Sequence, residues 1–315
     1  MNLKNSLLLV FILSAVLSCK EKTEQTTDME VVLSKQLIPY DSPLLDFDDP
    51  SVVVVDFRKN DAYKEGHLPG AINFYRDDFQ DTTLPYHGMR IEKEQMAKRL
   101  GEAGITENHT LVVYDNKGSS DASRLWWLLR LYNFDKVYLL DGGLSYWERM
   151  GGKSSREVPE MIPASFNFSD QADNMIVIEK EQILNLIISE ASKAILLDAR
   201  SAEEYKGLQH KSGAKKAGRI PKSINIDWAE AIDYGDTYTF KSVEELEKIY
   251  GKLGASKEDT IIVYCHSGVR SSHTTFVLTQ LLGYKKVLNY DGSWVEWSFD
   301  DLLPYESDTL YIKEN

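Results

Sequence analysis

Residues 260–272 read TIIVYCHSGVRSS. The β-branched and apolar run Thr260–Tyr264 predicts a short strand buried on both faces, the pattern of a parallel sheet. Residues 271–282 then carry Phe276, Val277, Leu278, Leu281 and Leu282, the spacing of a helix packed on that sheet. Between strand end and helix start lies Cys265, with His266, Ser267, Gly268 and Val269 leading to Arg270. Backbone N–H groups of such a loop converge on its centre, and the positive end of the helix dipole adds to them. Both favour an anion there, including a thiolate, so Cys265 is a candidate nucleophile. A buried structural cysteine is the plain alternative, but core packing needs neither a Gly-containing loop nor an arginine just beyond it.

Outward from this stretch, the chain repeats itself. Setting each residue from 110 to 147 against the one 150 positions later gives 11 identities in 38 pairs, among them Tyr114/Tyr264, Gly118/Gly268, Asp141/Asp291 and Gly142/Gly292. Chance pairing would give about two or three. Residues 54–73 match 196–207 and then, after an insertion of roughly ten residues, 218–225. In the first half strands are expected at 52–57, 110–114 and 136–140, with helices at 92–103 and 121–132. The second half has strands at 194–198, 260–264 and 286–288, and helices at 243–253 and 271–282. The first of those helices opens on the capping box Ser242/Glu245. This alternation predicts an α/β chain of two domains, each a parallel sheet flanked by helices on both faces. The expected domains span 46–150 and 174–304, joined by a surface linker at 151–173 and followed by a tail at 305–315. Ligands of such sheets bind beyond the carboxyl ends of the strands, where Cys265 falls. Asp115 stands at the corresponding place in the first half, either as an anion ligand or as a group that fills an inert loop.

The strings YCHSGVRSS (264–272) and YDGSWVEW (290–297) resemble the active-site half of a two-domain rhodanese, a thiosulfate or 3-mercaptopyruvate sulfurtransferase. The resemblance implies two rhodanese-like domains, the first inactive and forming part of the cleft wall. It implies Cys265 as the catalytic residue, carrying sulfur as a persulfide, with His266, Ser267, Gly268, Val269 and Arg270 as the substrate-binding loop. A small anionic sulfur donor and a thiol or cyanide acceptor are the implied partners, with no cofactor and no metal. Arg270 and His266 are the basic side chains of the loop. The arginine suits a sulfonate or carboxylate of the donor, and His266 is read as an exposed rim residue or a substrate contact. The two-domain enzymes carry an Arg before the aromatic residue that follows Asp-x-Arg, and it holds the donor. Here Glu204 precedes Tyr205, so a carboxylate is expected to oppose a doubly charged donor. Asp198/Arg200 and Asp56/Arg58 are read as structural ion pairs or caps, with catalysis as the alternative, Asp291-Gly292 and Asp141-Gly142 as turns, and Trp294 and Trp297 as either pocket lining or core. Two rivals remain: a non-turnover, membrane-tethered sulfur carrier, and a phosphatase or arsenate reductase. The second would need a loop one residue longer to cradle phosphate.

A formal charge of −13 and the absence of a basic tract with interleaved aromatics argue against nucleic acid as a partner. Residues 1–18 read as a signal peptide, with Lys4 before an apolar stretch at 7–16 that is too short to span a bilayer. Val16-Leu17-Ser18-Cys19 resembles a bacterial lipobox, with Cys19 as the lipidation site and 19–45 as a polar tether and lead-in; an ordinary secretory peptide is the alternative. The chain is therefore expected to be an exported monomer, lipid-anchored in the cell envelope, facing the periplasm or in the outer membrane. Only two cysteines occur, so lipidation of Cys19 would leave Cys265 unpaired in a compartment where thiols usually pair.

Overall fold

A computed structural model of the chain describes residues 36–169, 176–189, 192–235 and 237–308. The leader and Cys19 lie outside them. Among the described residues no helix is long and apolar enough to cross a membrane.

The first domain contains β1 (Leu37–Ile38), β2 (Val52–Asp56), α1 (Asn60–Glu65), β3 (Ile72–Asn73), α2 (Lys93–Glu102), β4 (Thr110–Tyr114), α3 (Ser120–Leu131), β5 (Val137–Leu140) and α4 (Gly143–Arg149). Its strands lie in the order β1-β5-β4-β2-β3, all parallel, with Asp56 beside Tyr114 and Leu111 beside Val137. The second domain contains α5 (Lys180–Ile188), β6 (Ile195–Asp198), α6 (Ala202–Lys206), β7 (Ile224–Asn225), α7 (Val243–Tyr250), β8 (Thr260–Tyr264), α8 (Val269–Phe276), β9 (Lys286–Asn289) and α9 (Ser293–Phe299). Its order is β7-β6-β8-β9, again parallel, with Asp198 beside Tyr264 and Val263 beside Asn289. The expected strands and the capping box at Ser242 are present. Two boundaries differ. β1 precedes residue 46 and completes the edge of the first sheet, and the isolated bridge Arg219–Glu306 ties the start of the supposed tail to the second domain. Strands this short carry no period to read, and only their distant partners define them.

Alternation along the strands decides which domain surface each residue faces. Ile261, Val263 and Cys265 join Val53, Val55, Leu111 and Val113 in one apolar core that runs through both domains. Ile262 and Tyr264 point the other way, into a core closed by Trp294 and Trp297. Both tryptophans are thus core residues. Helices α3 and α8 meet across the shared core, with Trp126 set edge-on to Phe276 at a centroid distance of 4.9 Å. Strand period therefore aims Cys265 at the partner domain.

His273 on α8 sits wholly inside this interface, stacked on Phe240 at 5.0 Å and edge-on to Trp228 at 5.1 Å. Among the described residues neither ring nitrogen makes a well-formed hydrogen bond, and the Gly118 backbone opposes the effect of burial only in part. Burial pushes its pKa from 6.5 to about 3, so the fold holds the ring neutral. The unfolded chain binds the proton first, and stability present above pH 6.5 is lost as pH falls towards 3. His273→Phe removes this contribution. Urea unfolding between pH 7 and 4 should show the wild-type-minus-variant difference shrinking by about 1.4 kcal/mol per pH unit below 6.5; a pH-independent difference would mean that the ring meets water.

Candidate active site

Cys265 follows directly on β8 with 1% of its surface exposed, and among the described residues its thiol is free. The loop carbonyls are turned away from it. Trp294 N–H donates to the Cys265 carbonyl and Val295 N–H to that of His266, each at 3.0 Å, so the first turn of α9 takes up those oxygens. Gly268 then reverses the chain at φ +78°, where a Cβ would lie 2.7 Å from both Arg124 Nη1 and Asp291 Oδ1. Burial alone would push the Cys265 thiol pKa up. The Arg270 charge, the Ser271 hydroxyl and the amides of Ser271 and Ser267 outweigh burial and hold it below the ordinary value.

Arg270 is not free. Its Nη1 and Nη2 grip Glu204 Oε2 and Oε1 at 2.6 and 2.9 Å, a bidentate pair at the floor of the site. Burial would raise the Glu204 pKa, but the Arg270 fork brings it down to about 2. Glu204 is therefore the partner of Arg270 rather than an isolated charge set against the donor. The carboxylate sits 4% exposed against the guanidinium, and the pair leaves a cation beside the sulfur rather than a repulsive wall. Nor is His266 an exposed rim residue. It is buried, its Nε2 lies 3.0 Å from the Ser212 carbonyl, and burial with the nearby Lys211 charge lowers its pKa to about 4, so the ring is neutral.

Ser267, Val269 and His266 line a cleft of about 280 Å³ between the domains, with Arg76, His87 and Arg124 on the opposite wall. Two of its cations are already engaged: Arg76 faces Asp121 at 3.6 Å, and Arg124 pairs with Asp291 and donates to the Gly88 carbonyl at 3.1 Å. Lys211 lines the same cleft, makes no ion pair among the described residues, and lies within electrostatic reach of Cys265. Burial and the Arg270 charge lower its pKa.

The sequence profile of the rhodanese-like domain matches residues 44–150 and 179–300. The chain belongs to the rhodanese family. It is 36% identical over 259 residues to a sulfur carrier protein of Thermus thermophilus, covering 79% of this chain and 89% of that protein. A Mycobacterium leprae protein provisionally named a thiosulfate sulfurtransferase is 35% identical over 272 residues, 84% of this chain and 95% of that one. The 3-mercaptopyruvate sulfurtransferase structure from Escherichia coli superposes with a TM-score of 0.71 at 29% identity, over 82% of this chain and 98% of that one. These relatives support sulfur transfer as the general activity of this rhodanese.

The duplicated loop supplies an internal comparison. Asp115 Oδ1 accepts the N–H groups of Lys117 and Ser119 at 2.8 and 2.9 Å, and Oδ2 those of Asp121 and Ala122 at 2.8 and 3.0 Å. The loop is therefore an anion cradle filled by its own carboxylate, as the filling role anticipates. The structural ion pairs are also present in duplicate. Arg58 donates to Asp56 and to the Gly66 carbonyl, and Arg200 to Asp198 and to the Gly218 carbonyl.

Asp291 does more than make a turn. Beyond its bond with Arg124, its Oδ2 accepts the Arg90 amide at 3.0 Å and the Arg90 side chain at 3.2 Å, clamping the two domains together. Lys211 and Arg124 are not among the site residues expected from the sequence. Lys211 was signalled by the insertion that the first half lacks; nothing local marks Arg124.

Proposed function

We propose that Cys265 carries a sulfane sulfur as a persulfide between a small anionic donor, such as thiosulfate or 3-mercaptopyruvate, and a thiol or cyanide acceptor. The Cys265 thiolate attacks the outer sulfur of the donor. The new S–S bond forms as the old bond to that sulfur breaks, and sulfite or pyruvate leaves with the electron pair, the latter taking up a proton. An acceptor thiolate or cyanide then attacks the terminal sulfur and returns the Cys265 thiolate. The observation that carries this reading is the Asp115 loop. A carboxyl group reaching two atoms beyond Cβ is received there by four N–H donors, which oppose the rise that burial causes in its pKa, and the terminal sulfur of a cysteine persulfide has the same reach. In the second domain the amides of Ser267 and Ser271 already favour the Cys265 thiolate. With Arg270 Nη1 and Nη2 both paired to Glu204, the terminal fork that would grip a phosphate already holds a carboxylate, which favours the sulfur-transfer reading over the phosphatase one.

Lys211 is the cation we assign to the donor's distal anionic group. After incubation with thiosulfate, intact-mass measurement should show Cys265 heavier by one sulfur atom, and cyanide should remove it. Lys211→Met should raise KM for thiosulfate about tenfold. No added sulfur would sink the persulfide reading; added sulfur with an unchanged KM would sink only the role of Lys211. Repeated turnover with cyanide separates an enzyme from a carrier that loads once.

A further inference from the structure

The persulfide reading makes no use of Ser293, yet the backbone there is unusual. It opens α9 at φ +52°, a left-handed conformation rare for a residue with a Cβ, and it is wholly buried. At the matching place in the first domain stands Gly143, at φ +56°, where a Cβ would collide with the Asp115 carbonyl. The domain with the thiol thus keeps a side chain, against the backbone preference, where the domain without it keeps glycine.

That side chain ties three segments together. The Ser293 hydroxyl oxygen accepts the Cys265 N–H at 3.0 Å and the Gly268 N–H at 3.2 Å, and its proton goes to the Tyr290 carbonyl at 2.8 Å. The oxygen lies 4.0 Å from Cys265 Sγ. Both ends of the loop are therefore fastened to the turn after β9 by one atom. The Cys265 and His266 carbonyls are held by Trp294 and Val295, and the amides of Ser267 and Ser271 favour the thiolate.

We infer that Ser293 is a positioning residue for Cys265: its hydroxyl fixes both ends of the loop so that the Ser267 and Ser271 amides converge on the sulfur. The inference rests on Cys265 being the reactive thiol. Without the hydroxyl, two buried N–H groups lose their acceptor and the loop must turn to find another.

The test compares Ser293→Gly and Ser293→Ala in the full chain. Glycine suits the φ and alanine keeps the backbone penalty, so the glycine variant should unfold at higher denaturant than the alanine variant. Both should lose function alike. The midpoint of Cys265 alkylation against pH, followed by peptide mass, should rise by about one unit, and kcat/KM for transfer from thiosulfate to cyanide should fall about tenfold or more. A wild-type midpoint retained in either variant overturns the inference, as does a loss that follows unfolding midpoint, with glycine near wild type. A wild-type Cys265 that alkylates like a free thiol and gains no sulfur overturns the reading of the cysteine itself, and this inference with it.

Discussion

Cys265→Ser brings sulfur transfer from thiosulfate to cyanide down to background. A serine hydroxyl in the same cradle stays protonated at neutral pH and cannot store a transferable sulfur, so the loop amides would have neither thiolate nor persulfide to hold. The duplicated loop carries Asp115 instead, whose carboxylate already occupies its four donors. Asp115→Ala has the opposite profile. It leaves four N–H groups, three of them buried, without their acceptor and should lower unfolding stability by a few kcal/mol, while the folded fraction keeps transferring sulfur. A discontinuous cyanide assay paired with denaturant unfolding reads both arms. Turnover surviving in Cys265→Ser would move the chemistry to another group.

The second large effect is expected at Asp291→Ala. Arg124 is 3% exposed, and its guanidinium pairs with Asp291, which also receives Arg90. Burial would raise the Asp291 pKa, but Arg124 and then Arg90 hold it below the usual carboxylate value. Its contribution is accordingly present above the unfolded value of 3.8 and lost as pH falls below it. Removing the carboxylate leaves a buried arginine uncompensated, at a cost of about 3–5 kcal/mol. Because the same arginine packs over Gly268 and holds the Gly88 carbonyl, the variant should also transfer sulfur more slowly. Adding Arg124→Met should recover part of the stability, since the stranded charge is then gone. A loss below about 1 kcal/mol in the single variant would mean that Arg124 reaches water instead.

Much of the site was legible because its logic is local. The β-branched run before Cys265 maps onto β8 and the glycine within the loop onto the reversal at Gly268, while the apolar spacing expected on one helix over 271–282 falls mostly on a π-helical segment, Val277–Leu281, that continues α8. Comparing the halves added the asymmetry between Cys265 and Asp115, and the two-residue spacing of Asp198 and Arg200 was enough to foresee their ion pair. What misled was partner choice. Glu204 and Arg270 lie 66 positions apart and meet only because α6 and the start of α8 converge at the carboxyl edge of one sheet. His266 looks like a rim residue until the insertion brings the Ser212 carbonyl to its ring.

The sequence by itself determined the alternation of strand and helix, the duplication, and the placing of one thiol at a strand end. Those follow from periods of two and 3.6 residues and from the identity of single side chains. Only the tertiary structure decided which charges are spent and which remain. Arg270 is taken by Glu204 and Arg124 by Asp291, 167 positions away, while Lys211 is left facing the cleft. A residue type carries its charge wherever it stands, but its partner and its dielectric surroundings are set by the chain that folds back against it.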